Sequence, residues 1–409
     1  MQSRSPSTAL ESALAARAHR LSPMRANAFG AFSRKGFPHR RIEGWRWSDF
    51  HAALSDAPGA PAAIHATGAP KLAADLAGLK PIEIRIINGR IDIPANAFPE
   101  GVRYGIVDAV GTIPELETNP IAALNVAMTK KAIGLEVAKG VALAPPILIR
   151  HISKGAGFSF AQGLLRLCEG ASATLIETFE GEGAAFHSHL FHLVLKDDAR
   201  LDRALLHETG ADAVVHSIFA PKIEARAEFN QASLSIGSRL SRHETHAHFV
   251  APDAAADISS VALLSGDRHS DFTSEVVFLS EGSTTRQRHK GVAKDKGRNV
   301  FQGKFRVMRG AGGTDARMNA DALLLSDTAE SNAKPELEIY ADNVECAHGS
   351  TAGALDRNAI FYMRQRGLSE QEARAMLIEA FVASTFDNVA HPGIAQAFRN
   401  RVTKWLEGE

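Results

Sequence analysis

After Gly140 the sequence alternates apolar and polar residues in short runs, and helical texture does not return until about Leu355. Residues 173–179, 191–196, 214–219, 275–279 and 322–325 are examples. A period of two sends successive side chains to opposite faces of a strand. Turn-forming residues recur between the runs, at 180–183, 196–198, 282–283 and 310–313. So many strands without crossover helices predict an all-β unit. No fixed repeat length or consensus is visible, so a sandwich, a barrel and a solenoid all satisfy the pattern.

The flanks read differently. Ala9, Leu10, Ala13, Leu14, Ala16 and Leu21 follow helical spacing, and a second helix is expected over 24–32. The Ala/Pro/Gly-rich stretch 57–70 reads as a linker. Ile82, Ile84 and Ile86, the Asn88-Gly89 turn, then Ile91 and Ile93 predict a hairpin. One more helix is expected over 119–131. Near the C-terminus, Ser369 and Glu372 form a capping box. Ala373, Met376, Leu377, Ala380 and Phe381 follow it as one apolar stripe. Pro392 opens a last helix with Ile394, Phe398, Val402 and Trp405 on one side.

Charge and cysteine content exclude several classes. Lys and Arg total 46 and Asp and Glu total 46, so no global field recruits nucleic acid or an anionic membrane. The two cysteines, Cys168 and Cys346, cannot build a disulfide framework or a four-cysteine metal cage. No signal-peptide core or membrane-length apolar run is visible, so a cytoplasmic location is expected. Residues 284–309 carry nine basic side chains and one acid, a local formal charge of +8. An acidic partner, an anionic ligand and a plain solvated face all fit that run.

Few motifs carry chemistry. Gly310 to Gly313 lacks the spacing and the Lys-Ser/Thr ending of a phosphate loop. His243, His246 and His248 lack the helical HExxH spacing of zinc proteases. On a strand His246 and His248 share a face while His243 points away. His187, His189 and His192 form a similar group. Histidines stacked between strands are the expected account of both, and a His-cluster metal hydrolase is the rival. Cys346 and His348 lie two apart, so on a strand the thiol and imidazole face the same way. Two such ligands leave a metal incomplete, which favours a site shared between chains.

Residues 334–353, Lys-Pro-Glu-Leu-Glu-Ile-Tyr-Ala-Asp-Asn-Val-Glu-Cys-Ala-His-Gly-Ser-Thr-Ala-Gly, resemble the signature segment of the SufB/SufD family. The stretches 289–303, 360–362 and 364–369 match that family too, and weaker similarity reaches Glu43-Gly-Trp-Arg-Trp47. One branch carries a sulfur-accepting Cys just before the strand at 322–325, where this chain has Ala320. The SufD-like branch has Cys-x-His-Gly, which Cys346 to Gly349 matches. Asn343, Glu345 and Ala347 depart from the usual Asp, Lys and Ser of that segment.

The resemblance implies a right-handed parallel β-helix flanked by N- and C-terminal helical regions. On that basis 1–80 is the N-terminal helical region and linker, 81–349 the β-rich core and 350–409 the C-terminal helical region. It also implies a non-catalytic scaffold that pairs with a SufB-like paralogue and docks a SufC-like ATPase. The implied cargo is a transient iron–sulfur cluster, with reduced flavin bound in the complex and no ATP site on this chain. A homodimer is expected in isolation. The implied assembly residues are His348 first and Cys346 second. The implied ATPase-binding helix carries Ala373, Met376, Leu377, Ala380 and Phe381. Parallel β-helices also host carbohydrate-active enzymes, which stands as the enzymatic rival.

Overall fold

The structure, a computed structural model, describes residues 8–63, 68–94, 98–109, 111, 119–386, 389 and 391–408. The strand run resolves into a parallel β-solenoid, in which the chain alternates between two stacked sheets. The first sheet has ten strands. In spatial order they are Glu345–Gly353, Asp315–Leu324, Thr284–Ala293, Ala255–Leu264, Glu228–Ser235, Arg200–Thr209, Ser172–Glu182, Ile147–Lys154, Ile82–Ile87 and Arg90–Asp92. The second has nine: Glu330–Ile339, Arg298–Val307, His269–Phe278, Leu240–Phe249, Val214–Ile223, Ala185–Leu195, Gly157–Leu167, Lys131–Val137 and Val102–Asp108.

A repeat exists that residue identity conceals. Gly140, Gly170, Asp198, Arg226, Asp253, Gly282, Gly313 and Asn343 all have positive φ, between 54° and 72°. Each marks the same corner of a successive coil. The backbone N–H of one donates to the carbonyl just before its counterpart in the next coil, as in Asp198 to Ala225, Arg226 to Pro252 and Asp253 to Glu281. Left-handed backbone is the shared requirement, and Gly, Asp, Asn and one Arg meet it. The repeat is therefore conformational. At Arg226 the guanidinium also pairs with Asp198, one coil back, at 2.7 Å.

Between the sheets, side chains stack in rows set by the parallel register. Ala173, Leu201, Phe229, Ala256, Thr285 and Ala316 form one buried row. Leu175, Arg203, Gln231, Ile258, Gln287 and Met318 form the next. The interior is mainly apolar, with Phe249, Phe278 and Phe305 among its fully buried rings. Each coil buries its inner face against its neighbours, so none would be stable alone.

Both outer faces are covered. The N-terminal helices Ala9–Ala18 and Pro23–Lys35 and the helix Pro120–Met128 pack on the second sheet, around Phe158, Phe186 and Leu190. The segment Glu43–Trp45 is pinned there by Arg242. Its guanidinium lies 4.0 Å from the Trp45 ring centroid and donates to the Gly44 carbonyl and to Asp271. On the first sheet, Leu148 with Ile176, Leu206 with Leu234 and Val261, and Leu263 with Val292 form three short outward apolar rows that together make one apolar face. The helices Glu370–Ala383 and Pro392–Glu407 cover it with Ile378, Val382, Ile394, Phe398 and Val402.

Several expectations hold. The 82–93 hairpin is antiparallel, the Ser369–Glu372 capping box is formed, and Pro392 opens the last helix. The helix expected over 119–131 ends at Met128, because Lys131 begins a strand. Part of the 57–70 linker, 64–67, lies outside the described residues. No helix among the described residues is long and apolar enough to cross a membrane.

Candidate functional site

The two ends of the solenoid differ. At the first coils each sheet closes with a strand turned back antiparallel: Arg90–Asp92 on Ile82–Ile87, and Val102–Asp108 on Lys131–Val137. At the last coil the outermost strands, Glu330–Ile339 and Glu345–Gly353, each pair in parallel with one neighbour. Their other edges carry backbone donors and acceptors that no strand among the described residues meets.

Cys346 and His348 lie on that last strand, two apart. Cys346 is in register with Ala316, and His348 with Met318. They therefore extend the two buried rows described above by one position. Ala316 and Met318 are buried, whereas Cys346 is half-buried and His348 is exposed. Both side chains occupy interior positions of a coil with no further coil over it. Burial raises the Cys346 thiol above its usual range and the Asp315 charge adds to this, against a hydrogen bond from the Ala316 backbone. It is a neutral thiol at pH 7. Ala320, where the other branch carries a thiol, is buried in the row of His289 and Ser350.

The other histidines are structural. His243 faces the interior, where its Nδ1 meets the Ser217 hydroxyl at 2.6 Å and its ring packs on Phe179, His207 and Phe272. His246 faces outward between Glu244 and Glu275. Burial opposes its charge, but the hydrogen bond to Glu244 at 2.8 Å and the Glu275 carboxylate 3.8 Å away outweigh it and raise the pKa to about 9. Burial lowers His187 and His289 to about 4, and His207 to about 3. Among the described residues, no three His, Cys, Asp or Glu side chains are grouped so that they could hold a metal ion.

The buried carboxylates also have other duties. Burial opposes the charge of Glu177, yet Arg203 at 2.6 Å and His151 hold its pKa at about 2. Glu244 is tied to Arg242, His216 and His246. A carboxylate locked to an arginine in this way is a poor general acid for glycoside cleavage.

The basic run 284–309 is matched in space. Arg288 pairs with Asp257, Lys290 with Asp321, Lys304 with Glu338, and Arg306 with Glu275 and Glu338. Arg286 contacts Asp315, and Arg298 lies 3.5 Å from Glu330. All these acids sit one coil away, outside the run itself. The +8 is a sequence excess that the adjacent coils neutralise.

The C-terminal stripe is divided. Ala373 is buried, Leu377 is half-buried, and Phe381 is half-buried under the Lys290 ammonium at 4.6 Å. Met376 and Ala380 are exposed. The helix buries Ala373, Ile378 and Val382, a line offset from the expected stripe. The large exposed apolar groups nearby are Phe361 and Tyr362, 65% and 60% exposed, on the preceding helix Arg357–Gln365. The sequence reading passed over this exposed pair, although a hydrophobic pair beside Arg364 and Arg366 is visible in the sequence.

Comparison with known proteins gives a consistent result. The family model described as "SUF system FeS cluster assembly, SufBD core domain" matches residues 150–381. The chain is 28% identical to the iron-sulfur cluster assembly protein SufD of Escherichia coli strain K12, over 92% of this chain and 90% of that one. It is 27% identical to the chloroplastic protein ABCI7 of Arabidopsis thaliana, over 78% and 72%. It is 22% identical to the iron-sulfur cluster assembly protein SufD of Bacillus subtilis strain 168, over 71% and 67%. With a parallel solenoid, a Cys-x-His-Gly segment on its open strand and a core-domain match over more than half its length, the chain belongs to the SufBD family of the SUF iron–sulfur cluster assembly system.

Proposed function

We propose that this protein is a non-catalytic scaffold subunit that pairs with a SufB-like paralogue through its open solenoid end. One observation carries the reading: Cys346 and His348 occupy interior rows of a coil that no further strand among the described residues covers. A second solenoid docked edge to edge would continue both sheets and enclose the thiol and imidazole. Two ligands from this chain and others from the paralogue would then contact the nascent cluster, which is cargo. His348 is the primary residue and Cys346 the secondary one.

A SufC-like ATPase docks on the C-terminal helical region. Phe361, Tyr362 and the exposed Met376 supply an apolar contact, with Ala380 beside it, while Ala373, Leu377 and Phe381 anchor the helix to the solenoid. This chain has no phosphate loop, so the nucleotide is bound and hydrolysed by that partner. Dimerisation of the ATPase on binding ATP would pull on the helices of both scaffold chains and shift their interface. Reduced flavin in the complex would supply electrons. Assembly takes place in the cytoplasm. Without the paralogue, the open edge would pair with a second copy of this chain.

The test is His348→Ala in the reconstituted complex. Cluster yield, read by absorbance and iron and sulfide content, should collapse while all subunits still co-purify. Wild-type yield would refute the assignment.

A further inference from the structure

We infer that the cleft between the N-terminal helices and the first coils binds a phosphate-bearing small molecule with a planar aromatic group, of nucleotide type. The cleft lies at the closed end of the solenoid, away from Cys346 and His348, and is independent of the assembly reading. Its volume is about 730 Å³, which suits a small ligand of that class.

The lining is one-sided in charge. Arg17, Arg20, Arg25, Arg90, Lys130 and Lys131 line it, and no acidic residue among the described residues does. Lys131 pairs with Asp108 at 2.8 Å. The other five form no ion pair among the described residues. The Arg25 Nε is buried without a hydrogen-bond partner. Elsewhere in this protein dense positive charge is matched: in the run 284–309, acids one coil away meet most of the cations. Here five cations from separate elements converge with no acid among the described residues paired to them. Guanidinium forks from two helices and a hairpin suit a phosphate group, whose oxygens accept several charge-assisted bonds at once.

The remaining wall is apolar and aromatic. Phe158 and Phe160 line the cleft together with Ile91 and Met128. Their ring centroids are 5.9 Å apart, and the Arg17 guanidinium lies 5.4 Å from the Phe158 centroid. Phe160 is half-buried, so part of its ring is open to a ligand. A bare inorganic anion would leave this wall unused. A nucleotide would place phosphates among the arginines and its base along the rings.

The test is calorimetric titration of the purified full-length chain with ADP and, separately, with inorganic pyrophosphate. ADP should bind saturably, at least tenfold more tightly than pyrophosphate, and more weakly as salt rises. Arg20→Ala combined with Arg25→Ala should weaken both probes at least tenfold. Phe160→Leu should weaken ADP several-fold and leave pyrophosphate unchanged. Arg20 is exposed and Arg25 only half-buried, and unchanged thermal midpoints would verify that the variants fold. Lys130→Ala gives a second charge variant should the double one unfold. Failure of both probes to saturate below millimolar concentration would overturn the proposal. So would pyrophosphate binding as tightly as ADP, wild-type affinity in the charge variants, or displacement of ADP by a stoichiometric acidic peptide.

Discussion

The two ends of the solenoid are made of similar strands and finished in different ways. The first coils fold back on themselves, with antiparallel strands on both sheets and helices packed alongside. The last coil stops with two parallel edges bare and a strand, Glu345–Gly353, that is exposed along nearly its whole length. A solenoid normally protects its terminal repeats, because exposed edges invite pairing. An end left open beside one that is closed is the reason the open one is proposed as the mating surface.

The contrast can be tested against the covered middle. Phe305→Ala empties a fully buried ring position and should cost about 3–5 kcal/mol in chemical denaturation. Truncating Tyr340, which is 55% exposed at the last coil, should stay within about 0.5 kcal/mol. Equal losses would mean the last coil is as fully engaged as the middle. The ends themselves are compared by Ile339→Asp with Tyr340→Asp, against Ile106→Asp with Val107→Asp at the first coils. The former should weaken paralogue binding about a hundredfold, ~2.7 kcal/mol, and the latter less than twofold. Sedimentation or co-purification reads the difference.

Acid sensitivity belongs to the covered coils. The interior His187, His207 and His289 have depressed pKa values, so the unfolded chain binds more protons below the ordinary value of 6.5. Stability should be intact above 6.5 and fall toward pH 4, by about 1.4 kcal/mol per pH unit for each group. His246 has the opposite sign: its contribution is full below 6.5 and lost as the pH rises through about 9. Thermal melts across pH should therefore peak near 6.5, and His246→Gln should flatten the alkaline side. A peak unmoved by that change would exclude the ion cluster as its cause. The smallest effect expected is on ATPase docking, where Phe361→Ala with Tyr362→Ala should weaken binding about tenfold, ~1.4 kcal/mol, and leave paralogue pairing unchanged.

What could be read from the residues follows the range of each interaction. The Ile82-Ile84-Ile86 alternation, the Asn88-Gly89 turn and the Ser369–Glu372 box act over a few positions, and all three were legible. The coil was not. Its register steps range from 26 residues, at Val214 to Leu240, to 32, at Phe305 to Leu337. Its corner accepts Gly, Asp, Asn or Arg. Its interior rows mix Arg203, Gln231, Ile258 and Met318, so no consensus accumulates. The same distance hid the partners of the basic run, since Asp257 and Glu338 lie about one coil outside it. For the site, the spacing of Cys346 and His348 announced a shared face, and the family resemblance nominated the pair. Only the register revealed that the face continues the interior. Within 373–381 the buried line, Ala373, Ile378 and Val382, is offset from the apolar stripe, because helical spacing shows that a face is apolar but not which neighbour sets its angle.

The last two helices have a consequence in time. They seal an outer apolar face that runs from Leu148 to Val292, so the groups they cover leave the ribosome well before the helices do. During that interval Leu148, Ile176, Leu206, Leu234 and Leu263 form an apolar strip along the growing solenoid. Each new coil lengthens the strip, and the C-terminal segment closes all of it at once when it arrives. The most exposed intermediate thus comes just before these helices emerge, and the region proposed to receive the ATPase is also the clasp that closes the solenoid.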